Sequence, residues 1–364
     1  MVKKSVAVLG ATGLVGQHLV RLLQDHPWFD LSVLASSPRC VGKKYGDVIE
    51  WRVDEFNPPD EVLEMTVYPV NPSEIKKVDN TVSIVFSALP AEVAKEVEPK
   101  FAKEGFIISS NASPFRLDVD VPLVVPEVNP DHLKLLEVQR EKRGWPGGIV
   151  KNPNCSTIQL VLTLKPLMDR FGMESVFVST MQAVSGAGYP GVSSIAIIDN
   201  IIPYIAREEE KMETETLKIL GKLEGERVKK ANFSVAASCH RVPTVNAHLE
   251  AVFVKLSREA SLEEVKETLK GFKGLPQKLA LPTAPLNPII VREEPDRPQP
   301  RKDRMSGVPE RARGMAVVVG RIRRSRNLDE KWIKYLVLGH NLIRGAAGAA
   351  LLNAELLVAK GLVA

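Results

Sequence analysis

Cysteine is scarce in this chain: Cys40, Cys155 and Cys239 are the only three in 364 residues, far apart and with no Cys-x-x-Cys pair. That excludes a disulfide framework and a cysteine-based zinc site, points to a reducing compartment, and gives no reason to expect a metal. Charge of one sign is not concentrated anywhere either. The 49 Lys and Arg outnumber the 44 Asp and Glu by five, but the excess is spread without a dense basic run or interleaved aromatics. Nucleic acid is therefore not implied, whereas anionic small molecules suit a mild, dispersed positive charge. Long apolar runs are missing too. Met1-Val2-Lys3-Lys4 leads straight into a short strand and a glycine turn, with neither the apolar core of a signal peptide nor a spanning helix. A soluble cytoplasmic protein with no membrane partner is expected. The chain does have length and ample apolar residues, 44%, which together suit two domains.

The first domain announces itself at once. Ser5-Val6-Ala7-Val8-Leu9 reads as a strand, Gly10-Ala11-Thr12-Gly13-Leu14-Val15-Gly16 as a turn, and Leu19, Val20, Leu22 and Leu23 as one face of a helix. Gly10 permits the tight turn, Gly13 lets backbone approach a pyrophosphate, and Gly16 lets the helix pack close to the strand, with the helix N-terminus facing phosphate. The spacing is GxxGxxG instead of GxGxxG, a departure that occurs in variants of the dinucleotide fold. Gly10, Thr12, Gly13, Leu14 and Val15 are the candidate cofactor contacts here. A second strand, Asp30 to Ala35, ends where a NAD-preferring enzyme usually carries an acid to hold the ribose. Here the chain reads Ser36-Ser37-Pro38-Arg39, hydroxyls and a guanidinium that accept a 2′-phosphate, so NADP is expected. Val82 to Ser87 is another strand, and Ser87-Ala88-Leu89 fits the cofactor-facing turn that follows it. The strand Gly105 to Ser110 runs into Asn111-Ala112-Ser113-Pro114-Phe115-Arg116 at its carboxyl end, where such sheets bind ligands. Arg116 there is a candidate clamp for phosphate or carboxylate.

The first domain closes near residue 150, at Lys151-Asn152-Pro153-Asn154-Cys155-Ser156-Thr157. Cys155 follows a strand and a turn and precedes the apolar helical run Ile158 to Leu164. A cysteine entering a helix sits among unpaired backbone N–H groups and the positive end of the dipole, both of which favour thiolate. A buried structural cysteine and an activated nucleophile both fit these residues. Beyond it, Ser175 to Val184 reads as a strand, and Gln182 lies just before the glycine turn Ser185-Gly186-Ala187-Gly188, where backbone can approach a ligand. In the charge run Arg207 to Glu213, Glu208 and Lys211 share one side of a helix. They form either part of a solvated face or a grip on the amino and anionic ends of one ligand. Phe233 to Pro243 and Asn246 to Val254 read as two strands joined by a short turn, carrying Arg241 and His248, with His240 as a competitor. Residues 281–313, rich in Pro and Arg, read as a long connection. Two closing strands follow, and His340-Asn341 opens a small-residue helix suited to close packing on the first domain.

Taken in order, GATGLVG, SNASPFR, VPEVN, NPNCST, QAVSGAG, EEEK, CHRVP and NLIRGAAG span nearly the whole chain. This order closely resembles the aspartate-semialdehyde dehydrogenases, the archaeal and fungal type in particular. The resemblance implies an α/β protein: a Rossmann-like dinucleotide-binding domain, residues 1–154 and 341–364, and an α+β catalytic and dimerisation domain, residues 155–340, with the C-terminal helix packing back on the first domain. It implies a catalytic nucleophile at Cys155, a general acid–base at His248 and a positioning role for Gln182. It also implies a carboxylate partner at Arg241, an amino-group partner at Glu208, phosphate contacts at Arg116 and Lys211, and a substrate contact at Asn154, while Ser185, Gly186 and Asn341 join the cofactor set. The expected reaction is NADPH-dependent reduction of aspartyl 4-phosphate to aspartate 4-semialdehyde through a cysteine thioester, with phosphate released, in amino-acid biosynthesis from aspartate by a homodimer or homotetramer. Ala247 stands before His248 where many relatives have glycine. Malonyl-CoA reductase, which keeps the nucleophile and Arg241 but gives Glu208 no amine to hold, is the nearest alternative. Reductases of N-acetyl-glutamyl phosphate share the chemistry without a free amine, and a non-catalytic NADP-binding sensor would need the cofactor turn alone.

Overall fold

Strands covered on both faces need apolar side chains at every position, and Val6, Ala7, Val8 and Leu9 meet that need with no exposed surface. They belong to β1 (Lys4–Leu9), the centre of a sheet completed by β2 (Phe29–Ser36), β3 (Val67–Pro69), β4 (Ile84–Ser87), β5 (Ile107–Ser110) and β6 (Gly148–Lys151). The computed structural model describes residues 2–54 and 56–363. The order is β3-β2-β1-β4-β5-β6, parallel throughout, so the winding reverses between β1 and β4 and opens a ligand-binding point at their carboxyl ends. The Leu14–Leu23 and Ala91–Lys103 helices lie on the crossovers. This first unit takes the chain up to Val124, Asp131–Asn152 and everything from Ala347 on. Its last helix, Gly348–Ala359, is buried over most of its length, with Leu351, Leu352, Leu356 and Leu357 fully buried. Each such leucine contributes roughly 1.5–3 kcal/mol. Buried polar contacts fix the helix in the unit: Ser109 Oγ donates to Ala350 O at 2.8 Å, and His26 Nε2 lies 2.9 Å from Glu355 Oε1.

The second unit comprises Val125–Pro130 and Pro153–Ala346. Its sheet joins β7 (Met173–Gln182), β10 (Ser234–Arg241), β11 (His248–Leu256), β12 (Ile289–Arg292), β13 (Val317–Arg323) and β14 (Trp332–Gly339) in the order β10-β7-β11-β14-β13-β12. A small hairpin, β8 (Lys222–Glu224) with β9 (Arg227–Lys229), stands apart. β10 with β7 and β12 with β13 are parallel, and the remaining pairs antiparallel. Along β11, His248, Glu250, Val252, Val254 and Leu256 are buried, while Leu249, Ala251 and Phe253 are half-buried. The buried face lies against the Cys155–Phe171 helix. The opposite face is open and apolar, with an exposed Phe177 stacked on Trp332 at 5.4 Å between ring centroids.

Three details depart from the sequence reading. The stretch Val125–Pro130 belongs with the second unit because Glu127 forms a bidentate ion pair with Arg344, at 2.9 and 2.7 Å, both side chains buried. The connection 281–313 contains β12, an edge strand that follows Pro288 directly; proline is tolerated at a strand entrance and at a sheet edge, which masks the strand in sequence. The closing helix is preceded by a π-helical turn at Ile343–Ala347, a form that recurs at functional sites. Among the described residues no helix is long and apolar enough to cross a membrane.

Candidate active site

The expected residues fall into two sets, one on each unit. In the first, Gly10 adopts φ +76°, and a β-carbon on it would come within 2.7 Å of Ala88 O. One on Gly16 would lie 2.2 Å from Gly10 O. Only glycine lets these three backbone segments converge at the winding reversal. Gly13 caps the Leu14–Leu23 helix without side-chain help, so the first amides, those of Leu14 and Val15 among them, are available to an anion. Thr12 Oγ1 and Ser36 Oγ share a hydrogen bond of 2.6 Å, while Ser37 and Arg39 are exposed on the turn after β2. Ser87 Oγ is buried at the end of β4 without a hydrogen-bond partner, and Ala88 N–H bonds Leu9 O as the chain leads into Leu89. A backbone cradle, an orphaned hydroxyl, and a guanidinium where an acid would repel a 2′-phosphate together fit NADP. Arg116 also lies on this unit, buried, with Nη2 donating to Asn111 O at 2.7 Å. Beside it Lys151 is paired with Glu98 and donates to Ser110 Oγ at 2.8 Å, and burial brings its pKa down to about 8.

The second set converges around Cys155, the first residue of its helix. Asn154 caps that helix, its Oδ1 accepting from Ser156 and Thr157 N–H at 2.9 and 3.3 Å, an arrangement worth about 1 kcal/mol. Its Nδ2 donates to Glu208 Oε1 at 2.8 Å, and its own N–H donates to Glu215 Oε2 at 2.6 Å. Cys155 Sγ is 3.2 Å from Nε2 of the fully buried His248. Ala183 N–H donates to His248 Nδ1 at 3.0 Å, and Arg241 Nη1 donates to Ala183 O at 2.8 Å. Gln182 and Arg241 are register partners at the ends of β7 and β10, and both are buried. His240, by contrast, sits half-buried with Nδ1 3.1 Å from Thr180 O. Lys211 Nζ lies 3.3 Å from Glu208 Oε2. Burial opposes ionisation of Glu208, but the Lys211 ammonium and hydrogen bonds from Asn154 and Gln182 outweigh it and hold the carboxyl below its ordinary range. Burial instead drives His248 down to about 3 and pushes the Cys239 thiol up to about 12. Of the cysteines, Cys155 alone is neither fully buried nor remote from a base.

Ser185, Gly186 and Asn341 belong to the same cluster. A β-carbon on Gly186 would meet Arg241 Nη1 at 2.7 Å and the His248 ring at 3.1 Å. Asn341 Oδ1 accepts from Ala247 N–H and its Nδ2 donates to Ser185 Oγ, each at 2.8 Å, which ties the start of β11 to the glycine turn. Ala247 itself has φ +80°, a conformation natural to glycine.

Several contributors carry no signal in the sequence. The Ala183 amide is backbone. Gln159, which donates to His248 O at 3.1 Å, and Glu215 lie in ordinary helical patterns. The Glu127–Arg344 pair joins residues from two quoted motifs. Gly345 has a clearer trace in GAAG, since a β-carbon there would lie 2.6 Å from Cys155 Cβ and 3.1 Å from its Cα. Gly345→Ala is therefore expected to displace Cys155 and lower turnover by about 10²-fold, measured beside the alkylation rate of the thiol; wild-type values for both would show that this close approach is dispensable.

Two family models cover the chain: "Semialdehyde dehydrogenase, NAD binding domain" over residues 5–136 and "Semialdehyde dehydrogenase, dimerisation domain" over residues 164–344. Fold and site thus define the class, a two-domain semialdehyde dehydrogenase. An aspartate-semialdehyde dehydrogenase from Archaeoglobus fulgidus is 55% identical over 99% of both chains. The crystal structure of the Candida albicans aspartate-semialdehyde dehydrogenase with NADP superposes with a TM-score of 0.88 at 40% identity, covering 99% of each chain. The malonyl-CoA reductase (NADP) of Metallosphaera sedula is 41% identical over 98% of this chain and 97% of its own. The chain belongs to the aspartate-semialdehyde dehydrogenase family, archaeal and fungal type, with malonyl-CoA reductase a related homologue.

Proposed function

We propose that the chain catalyses the NADPH-dependent reduction of aspartyl 4-phosphate to aspartate 4-semialdehyde, in amino-acid biosynthesis from aspartate towards lysine, threonine and methionine. The observation that carries this reading is Cys155 Sγ at a helix N-terminus, 3.2 Å from His248 Nε2, in a chain 55% identical to an aspartate-semialdehyde dehydrogenase. Cys155 as thiolate attacks the acyl carbon, the helix amides and His248 stabilise the oxyanion, and phosphate leaves a thioester on the sulfur. Bound NADPH supplies a hydride to that carbon, after which the Cys155 sulfur departs and aldehyde is released. Gln182 positions the reacting groups. Arg241 holds the substrate carboxylate, Glu208 its amine, Arg116 and Lys211 its phosphate, and Asn154 fixes Glu208 as well as the helix start. The cofactor is held by the Gly10 to Val15 turn, by Ser36, Ser37 and Arg39, by Ser87 to Leu89, and by Ser185, Gly186 and Asn341. The apolar open face of the second sheet supports a homodimer or a homotetramer built from it, and widely spaced cysteines suit a cytoplasmic setting.

An ionised Glu208 held by Asn154 and Lys211 calls for a substrate ammonium, which malonyl-CoA lacks. NADPH oxidation measured in parallel with aspartyl 4-phosphate and with malonyl-CoA tests this. Turnover with aspartyl 4-phosphate is expected, and Glu208→Gln should raise its KM by about 10-fold to 100-fold through loss of one charged hydrogen bond. Turnover of malonyl-CoA alone would reverse the substrate choice.

A further inference from the structure

A strand at the edge of a sheet turns every second amide away from its neighbour strand, and those amides need partners from elsewhere. β10 is such an edge, paired on one side to β7. Three of its outward amides are met in turn. Ala237 N–H donates to Glu213 Oε1 at 3.0 Å, Cys239 N–H to Glu209 Oε1 at 2.9 Å, and Arg241 N–H to Ile202 O at 2.8 Å. The two carboxylates belong to the Glu208–Ile219 helix, which therefore runs along the strand in the opposite sense. Four residues of helix advance about 6 Å and two residues of strand about 6.6 Å, so one acid per helical turn meets one amide per pleat. Between the two contacts, Met212 Sδ lies 3.6 Å from Cys239 Sγ, both side chains buried. Glu209 is exposed and Glu213 half-buried, so the amides hold these side chains in place, not burial.

The same helix carries acids on a second face. Glu208 Oε1 accepts from Asn154 Nδ2 and Glu215 Oε2 from Asn154 N–H, which ties the helix to the start of the Cys155 helix. Of the three successive glutamates, Glu208 thus faces the site, Glu209 faces the strand, and Glu210 faces solvent beside Arg207. Glu208 directly precedes Glu209, and Arg241 stands two residues beyond Cys239. A register in which Glu209 meets Cys239 therefore brings the Glu208 carboxylate to the end of the strand that bears Arg241, where the two charges act on each other.

We propose that Glu209 and Glu213 are positioning residues: they dock the Glu208–Ile219 helix on the free edge of β10, fix the spacing between Glu208 and Arg241, and so set the preference for a substrate with an ammonium beside its carboxylate. This rests on the roles given to Glu208 and Arg241 above.

The test compares aspartate 4-semialdehyde with succinate semialdehyde, the same molecule without its amine, each oxidised with NADP and phosphate by the full-length protein. In the wild type the amine-bearing aldehyde is expected to have the higher kcat/KM. Glu209→Ala combined with Glu213→Ala should cut that preference by about 10-fold, through a higher KM for the amine-bearing aldehyde, and leave succinate semialdehyde within about two-fold. Glu209→Gln combined with Glu213→Gln keeps an acceptor oxygen for each amide and should restore most of the preference. In a Glu208→Gln background the alanine pair should change the preference no further, because the group being positioned is gone. Equal losses for both aldehydes, or an undiminished preference in the alanine pair, would overturn the proposal. Amide hydrogen exchange gives a reading that needs no substrate. The Ala237 and Cys239 amides are expected to be protected in the wild type and to exchange about 10-fold faster or more in the alanine pair. Rapid exchange of both in the wild type would overturn the docking, and it decides the matter if the alanine pair does not fold. Absence of any amine preference in the wild type would strike the substrate reading instead, with the exchange result still deciding the docking, so the two ideas fail separately.

Discussion

Cys155→Ala is expected to abolish NADPH oxidation with aspartyl 4-phosphate, by at least about 10⁴-fold, while NADPH binding, followed by fluorescence titration, changes by less than about two-fold in affinity. The sulfur is the atom that becomes covalently attached in the proposed route, and it lies 3.2 Å from His248 Nε2. The methyl that replaces it fits the same helix start, because Asn154 rather than Cys155 provides the cap. Cys155→Ser is expected to be nearly as poor. A serine hydroxyl gives up its proton far less readily than a thiol, so it is a weak nucleophile at the same position. Residual turnover above about one per cent in Cys155→Ala would exclude a covalent route through this residue.

Glu127→Ala is expected to cost about 3–5 kcal/mol of stability, read from the midpoint of denaturant unfolding. The Arg344 guanidinium and the Glu127 carboxylate are both buried and face each other with two hydrogen bonds. Removing the carboxylate strands a cation in the interior, and total stabilities of about 5–15 kcal/mol leave little room for that. Turnover should fall as well, since Arg344 precedes Gly345, which lies against Cys155. Glu127→Leu combined with Arg344→Met should recover much of the stability, because an apolar pair of similar volume carries no stranded charge. A loss below about 1 kcal/mol for Glu127→Ala would mean that water reaches the pair.

The first unit was legible because its strands are covered on both sides: their apolar runs are continuous, and the glycine turn sits between strand and helix where phosphate binding demands it. β3 carries too few residues to register, and β12 is masked by the proline directly before it. β11 is instructive in another way. Alternation alone would send Leu249, Ala251 and Phe253 inward and His248 and Glu250 to solvent, yet the reverse holds. The apolar face is the open one, and the polar residues at the head of the strand belong to the site beneath the Cys155 helix. Val252, Val254 and Leu256 continue the buried face and are the only local sign of its direction. The side chains that gather around Cys155 could be named from motifs, but the backbone and helix groups that hold them could not. The Ala183 amide has no side chain to read, and Glu127 and Arg344 stand 217 positions apart.

The placement of the Gly348–Ala359 helix has a consequence for how the chain acquires its structure during synthesis. Ser109 waits 241 residues for its partner at Ala350, and His26 waits 329 for Glu355. The sheet begun by β1 therefore keeps one buried surface uncovered until the Gly348–Ala359 helix has been made. The unit that carries Cys155, His248, Arg241 and Glu208 is complete by Ala346. Cys155 and the side chains around it can thus be assembled while the nucleotide-binding core is still open, and that core is the segment most in need of protection from aggregation on the way.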